Sequence, residues 1–482
     1  MTAPTPTKLW TAAEAAVATG GHATGDWQAS GVSIDSRTLK PGDLFIALRG
    51  PNFDGHGFVA AALAAGAAGA IVARMPAGVA SNAPLLMVGD TMAALEALGR
   101  AARGRSSATF LAVTGSVGKT GTKEMLRLAL GARGQTYAST GNLNNQWGVP
   151  LSLANMSRDA MFGVFELGMS SAGEIGPLSR QVRPAIAIIT TVEPAHLEFF
   201  PSVEAIADAK AEIFEGMAAS GVAILNRDNP HFARLAGKAR THGITGVIGF
   251  GRHPAAEARL SDYRPNSVAS EVSAEILGAR ITFRLNLPGL HQVMNSLAVL
   301  AAARTVGVEL GVAAGALAQL TPLKGRGQRE RIALAGGSFE LIDESYNASP
   351  AAMRAAFQVL GQAKPGIGGR RIAVLGDMRE LGPAGAEMHA ELATDLRANG
   401  IDLVFCAGPL MAALDRALPN KMRASHAPDS VSLIPAVVGA ARAGDVVLVK
   451  GSLGSRMAPI VAALRALDMA NASAPPRAAN GH

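Results

Sequence analysis

Aromatic residues make up only 4% of this 482-residue chain, and it has a single cysteine. One thiol, Cys406, closes no intramolecular disulfide and builds no thiolate metal cage, which points to a reducing compartment. No apolar run approaches the about 20 residues that a helix needs to cross a bilayer. The most apolar stretch, 58–73, is rich in alanine and glycine and stops at Arg74. Residues 1–10 carry one lysine with several prolines and threonines instead of an apolar segment, so no secretory signal is expected and the cytoplasm is the default. A basic block is missing too. Lys plus Arg exceeds Asp plus Glu by 44 to 37, a net charge of +7, but the cations are scattered among acids and lack interleaved aromatics. No nucleic-acid partner is expected. The excess suits an enzyme that handles phosphorylated, carboxylated substrates.

What the chain does have is core material. At 49% hydrophobic and 17% charged it is neither disordered nor fibrous, and its length allows three domains at about 150 residues each. Residues 9–20 read as a short helix stopped by Gly20-Gly21. Strand-like runs with a Lys40-Pro41-Gly42-Asp43 turn follow over 31–50, then a helix at 58–68 and a strand at 70–73. The polar segment 102–109 marks the first boundary. Beyond it, buried runs at 110–114, 161–167, 185–192 and 222–226 alternate with helical patterns such as 119–130, the signature of a parallel sheet covered on both faces. The stretch 251–284 reads as polar and variable, and a helix follows at 294–304. From Leu323, strands at 339–343, 371–376, 403–408 and 446–451 alternate with helices in a second doubly wound pattern. The expectation is an α/β chain of three domains: a small α/β unit over 1–106, a central P-loop ATPase-like parallel sheet over 107–322, and a C-terminal Rossmann-like doubly wound unit over 323–470. A disordered tail is expected over 471–482.

The sharpest motif is Thr114-Gly115-Ser116-Val117-Gly118-Lys119-Thr120, directly after a strand and before a helix, with Gly121 next. Glycines let the backbone curl until its N–H groups face inward. The helix N-terminus adds partial positive charge, Lys119 reaches terminal phosphates, and the Thr120 hydroxyl is placed for Mg²⁺. The usual motif opens with glycine where this chain has Val113. Glu166, His196 and Lys210 occupy strand ends or the segments just after them in the same domain. Singly, each has a dull explanation: a helix cap, a loop histidine, a solvated lysine. A phosphate chain needs a divalent metal, and Glu166 and His196 are ligands of the right type. Lys210 is not, because an ammonium repels Mg²⁺.

At this point the sequence resembles the Mur ligases of peptidoglycan synthesis. The resemblance covers 10–465, with landmarks in order at 33–37 (SIDSR), 44–58, 114–124, 140–150, 165–171 (FELGMSS), 190–200, 209–214, 291–302, 323–328, 341–350 (LIDESYNASP), 375–382 and 449–452. It implies an ADP-forming ligase whose first domain holds a UDP-sugar, whose second holds ATP, and whose third closes over both. It also implies that Lys210 carries a CO₂-derived carbamate, which turns the cation into a carboxylate-like ligand. Thr120 and Glu166 would then hold one Mg²⁺, with His196 and modified Lys210 helping with a second. The resemblance assigns the loop 115–121, Asn295, Arg326 and Glu344 to ATP, with Lys119, His196, Lys210 and Arg326 in catalysis. It assigns Ser36 and Arg37 to the UDP-sugar, and Asn142, Asn144 and Asn145 to a loop over the reacting carboxylate. Glu344 and Ser349 stand where this branch more often has Asp and Asn. The block 341–350 points to the branch that joins D-alanyl-D-alanine to UDP-N-acetylmuramoyl-tripeptide, acting as a monomer. Two rivals remain: the sibling that adds the third amino acid, whose C-terminal Asp-Asn-Pro-Arg run is matched only by Asp228-Asn229-Pro230-His231 in the central unit, and a non-catalytic P-loop protein.

Overall fold

The computed structural model describes residues 8–195, 197–266 and 268–468. The expected tail 471–482 lies outside them. Three sheets organise the chain. In the first, strands His22–Ala23, Leu85–Met87, Gly69–Val72, Asp43–Ile46 and Gly31–Ser33 lie side by side. The helices Ala12–Thr19 and Thr91–Arg105 belong to this unit. Thr11 starts the first helix with a capping box to Glu14, and Gly20 ends it at φ +68°.

The central sheet runs, in spatial order, Thr136–Ala138, Phe162–Glu166, Thr109–Thr114, Ile186–Ile189, Val222–Asn226 and Gly246–Gly251, all parallel. Strand Thr109–Thr114 shows why it is buried on both sides. Phe110 and Ala112 enter one core with the helices Gly148–Ala154, Ile175–Val182 and Val203–Ala211. Leu111 and Val113 enter the other with Met125 and Leu126 of helix Lys119–Gly131 and Leu297 of helix Leu290–Thr305. Alternation along the strand thus supplies two cores from one apolar run. The chain builds outward from this strand first on one side, to Thr136–Ala138 and Phe162–Glu166, and then on the other, to Ile186–Ile189, so it marks the switch point of the sheet, and a crevice opens at its carboxyl end.

The stretch expected to be polar and irregular, 251–284, instead adds three strands: Ala258–Pro265, Ser270–Ile276 and Ala279–Leu285. They form an antiparallel meander on the sheet edge. Its alternation was masked by charges on the exposed face: Glu271 is exposed while Val272 and Ala274 are buried. The boundary at 102–109 also shifts, since helix Thr91–Arg105 runs through half of it. Its polar residues are fasteners. Arg103 donates to the carbonyls of Val182 (2.6 Å) and Arg183 (3.1 Å) and covers the Phe110 ring, and Arg105 covers Trp10. Trp10 Nε1 donates to Ala154 O at 2.9 Å, and the Asn155 amide pairs with both backbone groups of Val32 at 2.8 Å.

The third sheet is ordered Gln328–Leu334, Gly337–Glu344, Val446–Lys450, Arg371–Gly376, Leu403–Ala407, Arg423–Ala427. Its first and last strands were not expected; both are edge strands with mixed polarity. Among the described residues no helix is long and apolar enough to cross a membrane.

Arg183 ends helix Ile175–Val182 in the left-handed region at φ +48°, exposed, and its charge opposes that of half-buried Arg103. Arg183→Gly relieves the Cβ clash and the repulsion together. It should stabilise the fold by about 0.5–1 kcal/mol net of glycine's entropy, read as a higher midpoint in thermal unfolding; a lower midpoint would contradict this account.

Candidate active site

The loop after strand Thr109–Thr114 is held tightly from behind. Gly115 (φ +147°) passes so near Thr190 that a Cβ would fall 1.9 Å from its hydroxyl oxygen, and Gly118 (φ +87°) passes Asn295, whose amide nitrogen would lie 2.8 Å from one. These are the two positions where only glycine fits. Thr190 Oγ1 donates to Val117 O at 2.6 Å. The Ser116 hydroxyl donates to Glu193 O (3.0 Å) and accepts from Glu193 N–H (2.9 Å). Thr190 and Glu193 escaped the sequence reading. The rule that ligands gather at strand ends would have reached them, since they follow Ile186–Ile189. The Val113 departure is accommodated simply: it is a buried strand residue, and the turn begins after it.

Helix Lys119–Gly131 starts at this loop. Lys119 Nζ donates to Gly115 O at 2.5 Å. Burial lowers its pKa, Glu166 opposes that shift, and Arg326 adds to it. Thr120, Gly121, Asn295 and Glu166 line the same cleft of about 670 Å³ as Lys119.

Glu166 ends its strand with the carboxylate buried. Its N–H donates to Ser139 Oγ at 3.3 Å, and buried Lys123, from the P-loop helix, grips Ser139 O at 2.5 Å. One carboxylate oxygen accepts from Asn144 Nδ2 at 2.8 Å, and the other is buried without a partner among the described residues. A buried orphan oxygen in the cleft that Thr120 also lines, at the foot of a phosphate loop, is the donor chemistry of a hard divalent cation. These residues fit Mg²⁺. His196 lies outside the described residues.

Lys210, in the last turn of helix Val203–Ala211, is 2% exposed. Among the described residues nothing accepts a hydrogen bond from its amine. Its pKa lies well below the ordinary lysine value, first through burial and then through the nearby charge of Lys119. Burial and a neighbouring cation both favour the neutral, nucleophilic form of this amine over the ammonium.

The third domain reaches into this cleft. Arg326 stands 4.1 Å over the Tyr346 ring and is close enough to Lys119 to disfavour its charge. Glu344 lines the cleft but takes 3.1 Å contact from Lys450, a buried cation that also donates to Asn347 O at 3.0 Å. Lys450 is another strand-end residue the sequence reading did not single out. Ser349 caps helix Pro350–Gln362. The asparagines separate by job. Asn144 orients Glu166, Asn145 accepts from Trp147 and Gly148 N–H at the start of the next helix, and Asn142 is exposed on the cleft wall.

A second cavity, about 1280 Å³, opens between the first sheet and the central domain. Ser36 and Arg37 line it with Lys40, Phe53, Phe58 and Trp147. Arg37 forms a fork with Asp35 (2.7 and 2.9 Å), so the Asp35 carboxyl drops to about 2. The Asp228-Asn229 run serves the fold as a clasp, in which Asp228 accepts from Arg252 and His253 N–H and Asn229 donates to Val192 O.

Comparison with known proteins agrees with this geometry. Three family profiles match in order: "Mur ligase family, catalytic domain" over 28–103, "Mur ligase middle domain" over 113–303, and "Mur ligase, glutamate ligase domain" over 326–453. The UDP-N-acetylmuramoyl-tripeptide–D-alanyl-D-alanine ligase of Bacillus subtilis is 35% identical over 439 residues, 89% of this chain and 92% of the relative. That of Escherichia coli is 35% identical over 437 residues, 90% and 93% of the two chains. Among solved structures, MurF from Acinetobacter baumannii superposes with a TM-score of 0.84 at 31% identity, covering 96% of this chain and all of that one. MurF from Thermotoga maritima in complex with ADP does so at 0.76 and 28%, covering 92% and 98%. In sequence, in sheet order and in the placing of its phosphate loop, the chain belongs to the Mur ligase family.

Proposed function

We propose that this chain joins D-alanyl-D-alanine to UDP-N-acetylmuramoyl-tripeptide with conversion of ATP to ADP and phosphate, in the cytoplasm and as a monomer. The observation that carries the reading is the cleft where a phosphate loop, a half-satisfied buried carboxylate and an arginine of the third domain converge. The domains divide the work, with 1–106 for the UDP-sugar end, 107–322 for ATP, and 323–470 for closure and the incoming amine.

A carboxylate does not accept an amine at useful rates, because oxide would have to leave. Transfer of the γ-phosphoryl group gives an acyl phosphate, from which phosphate departs once the amine has attacked the carbonyl carbon. The first step brings two anions together, and positioning with charge stabilisation is most of its catalysis. Lys119 and Arg326 supply positive charge on two sides of the cleft. The P-loop N–H groups from 115 to 121 and the Asn295 amide bind and orient the phosphates, and Glu344 with Lys450 forms the wall on the nucleotide side. Thr120 and Glu166 would hold Mg²⁺, and His196 and Lys210 a second; the ions neutralise phosphate charge when bound. The 1280 Å³ cavity beside Ser36 and Arg37 takes the UDP-sugar end, leaving its peptide to run past Asn142 toward the cleft. Closure over an acyl phosphate keeps water from intercepting it.

The amine of Lys210, buried, without an acceptor among the described residues and with a lowered pKa, supports carbamylation. The neutral amine attacks CO₂ and loses a proton, and the resulting anion would answer the positive charge of Lys119. The Asp228-Asn229 clasp carries no substrate role, and nothing favours the sibling that adds the third amino acid.

Mass spectrometry of products tests the function. Purified protein with ATP, UDP-N-acetylmuramoyl-tripeptide and D-alanyl-D-alanine should give the pentapeptide, and omitting ATP should give none; product without ATP, or preference for the dipeptide precursor with diaminopimelate, would end this reading. Lys119→Ala should cut turnover by about a hundredfold or more, as loss of a group that stabilises transition-state charge does, with unchanged circular dichroism. Lys210→Ala should be nearly inactive and partly rescued by short carboxylic acids, and CO₂-stripped wild type should recover on adding bicarbonate. Because the Lys210 amine stays neutral below the ordinary lysine range, that recovery should persist at pH values where a surface lysine is fully protonated, and fade as pH falls through its lowered pKa. Full activity of Lys210→Ala would dismiss the carbamate.

A further inference from the structure

A dipeptide acceptor brings two charged ends: an ammonium that must reach the activated carbonyl, and a terminal carboxylate that makes no bond. The carboxylate needs a partner near the P-loop cleft, on residues that the ATP site leaves unused. The loop 377–382, at the carboxyl end of strand Arg371–Gly376, meets these conditions.

Its backbone is fixed from several sides. Met378 N–H donates to Nε2 of His389 at 2.9 Å, and His389 Nδ1 donates to Gly385 O at 2.5 Å. His389 is fully buried, which lowers its pKa and keeps the ring neutral with both bonds in place. Arg379 N–H donates to Ser452 Oγ at 3.0 Å. The Asp377 carbonyl accepts from Ser452 N–H at 3.1 Å and from Ser455 Oγ at 2.8 Å. This anchored backbone presents an arginine with nothing to hold. The Arg379 side chain is exposed, and among the described residues no carboxylate or carbonyl accepts from its guanidinium. It lies along the bare backbone of Gly454, where a Cβ would fall 2.8 Å from Arg379 Nε.

The same loop touches the central domain beside the ATP cleft. Glu198 N–H donates to Glu380 O at 3.2 Å, and a Cβ on Gly382 would sit 3.3 Å from Glu198 Cα. Glu193, earlier in that segment, lines the P-loop cleft. The two segments that meet the loop also carry large apolar side chains left in solvent: Phe199 at 50% and Leu453 at 63% exposure. We infer that Arg379 binds the terminal carboxylate of the incoming D-alanyl-D-alanine, with Phe199 and Leu453 giving apolar cover to its methyl groups. This rests on the proposed function and deepens it. The guanidinium fork matches a carboxylate in geometry and charge, and the loop that carries it meets the central domain at Glu198.

The test compares D-alanyl-D-alanine with its C-terminal amide as acceptor, at saturating ATP and UDP-tripeptide, in wild type, Arg379→Gln and Arg456→Gln. Arg456 is a second exposed cation on the neighbouring turn. Wild type should prefer the free acid by about ten- to a hundredfold in kcat/KM, the usual worth of a charge-assisted hydrogen bond. In Arg379→Gln the KM for the acid should rise by that factor and the preference should vanish, while the KM for ATP and the rate with the amide hold within about twofold. Arg379→Gln that keeps the wild-type preference, or a preference lost in Arg456→Gln instead, overturns the inference. Wild type that uses neither acceptor would overturn the proposed function.

Discussion

Charges of both signs held together in and beside one cleft, Lys119 and Arg326 near Glu166 with Lys210 buried close by, are the condition from which the rest of this architecture follows. Lys119 and Lys210 are each costly to keep charged there, Lys119 also feels Arg326, and Lys210 feels Lys119. One buried carboxylate, Glu166, pulls the other way and has an oxygen with no partner among the described residues. Glu124, Glu174, Glu193 and Glu344 also line the cleft, so it presents both signs of charge. Groups that complete it must be anionic toward the lysines and cationic toward Glu166, and a metal-bound triphosphate is both. A ligand of that kind meets an opposite charge on each side of the cleft.

Keeping such a set apart from water demands rigid backing. The P-loop supplies it through close approach: Thr190 behind Gly115 and Asn295 against Gly118 leave the loop one shape. Ser116 and Glu193 lock their backbones reciprocally, and Lys123 reaches from the P-loop helix to the carbonyl of Ser139, whose hydroxyl accepts the Glu166 N–H. The loop, its helix and the carboxylate are therefore one unit, so that donors are already aimed when charge develops.

Much of this was legible in the chain. The glycine pair and Gly118-Lys119-Thr120 have few other uses between a strand and a helix, and runs buried on both faces declare a parallel sheet. Three kinds of information were not. The meander over 258–285 hides its alternation behind charges on the open face. Arg103 and Arg105 look like a linker because their stems bury while their polar ends find carbonyls and rings. Lys210 looks like a solvated helix residue, since burial is a property of the packed whole; only the fold shows it 2% exposed. The asparagine cluster was visible as a cluster, but the jobs of Asn144 and Asn145 depend on which backbone each meets.

Division into separate units follows from the same electrostatics. Arg326 and the Lys450–Glu344 pair come from the third domain, while Lys119, Glu166 and Glu193 come from the central one, so the charged lining of the cleft is complete only where the two domains meet. The two domains touch beside the cleft through a backbone hydrogen bond from Glu198 to Glu380 and the close pass of Gly382, among other contacts. A ligand that fills the cleft therefore contacts both domains at once, and its binding free energy favours the arrangement in which they meet.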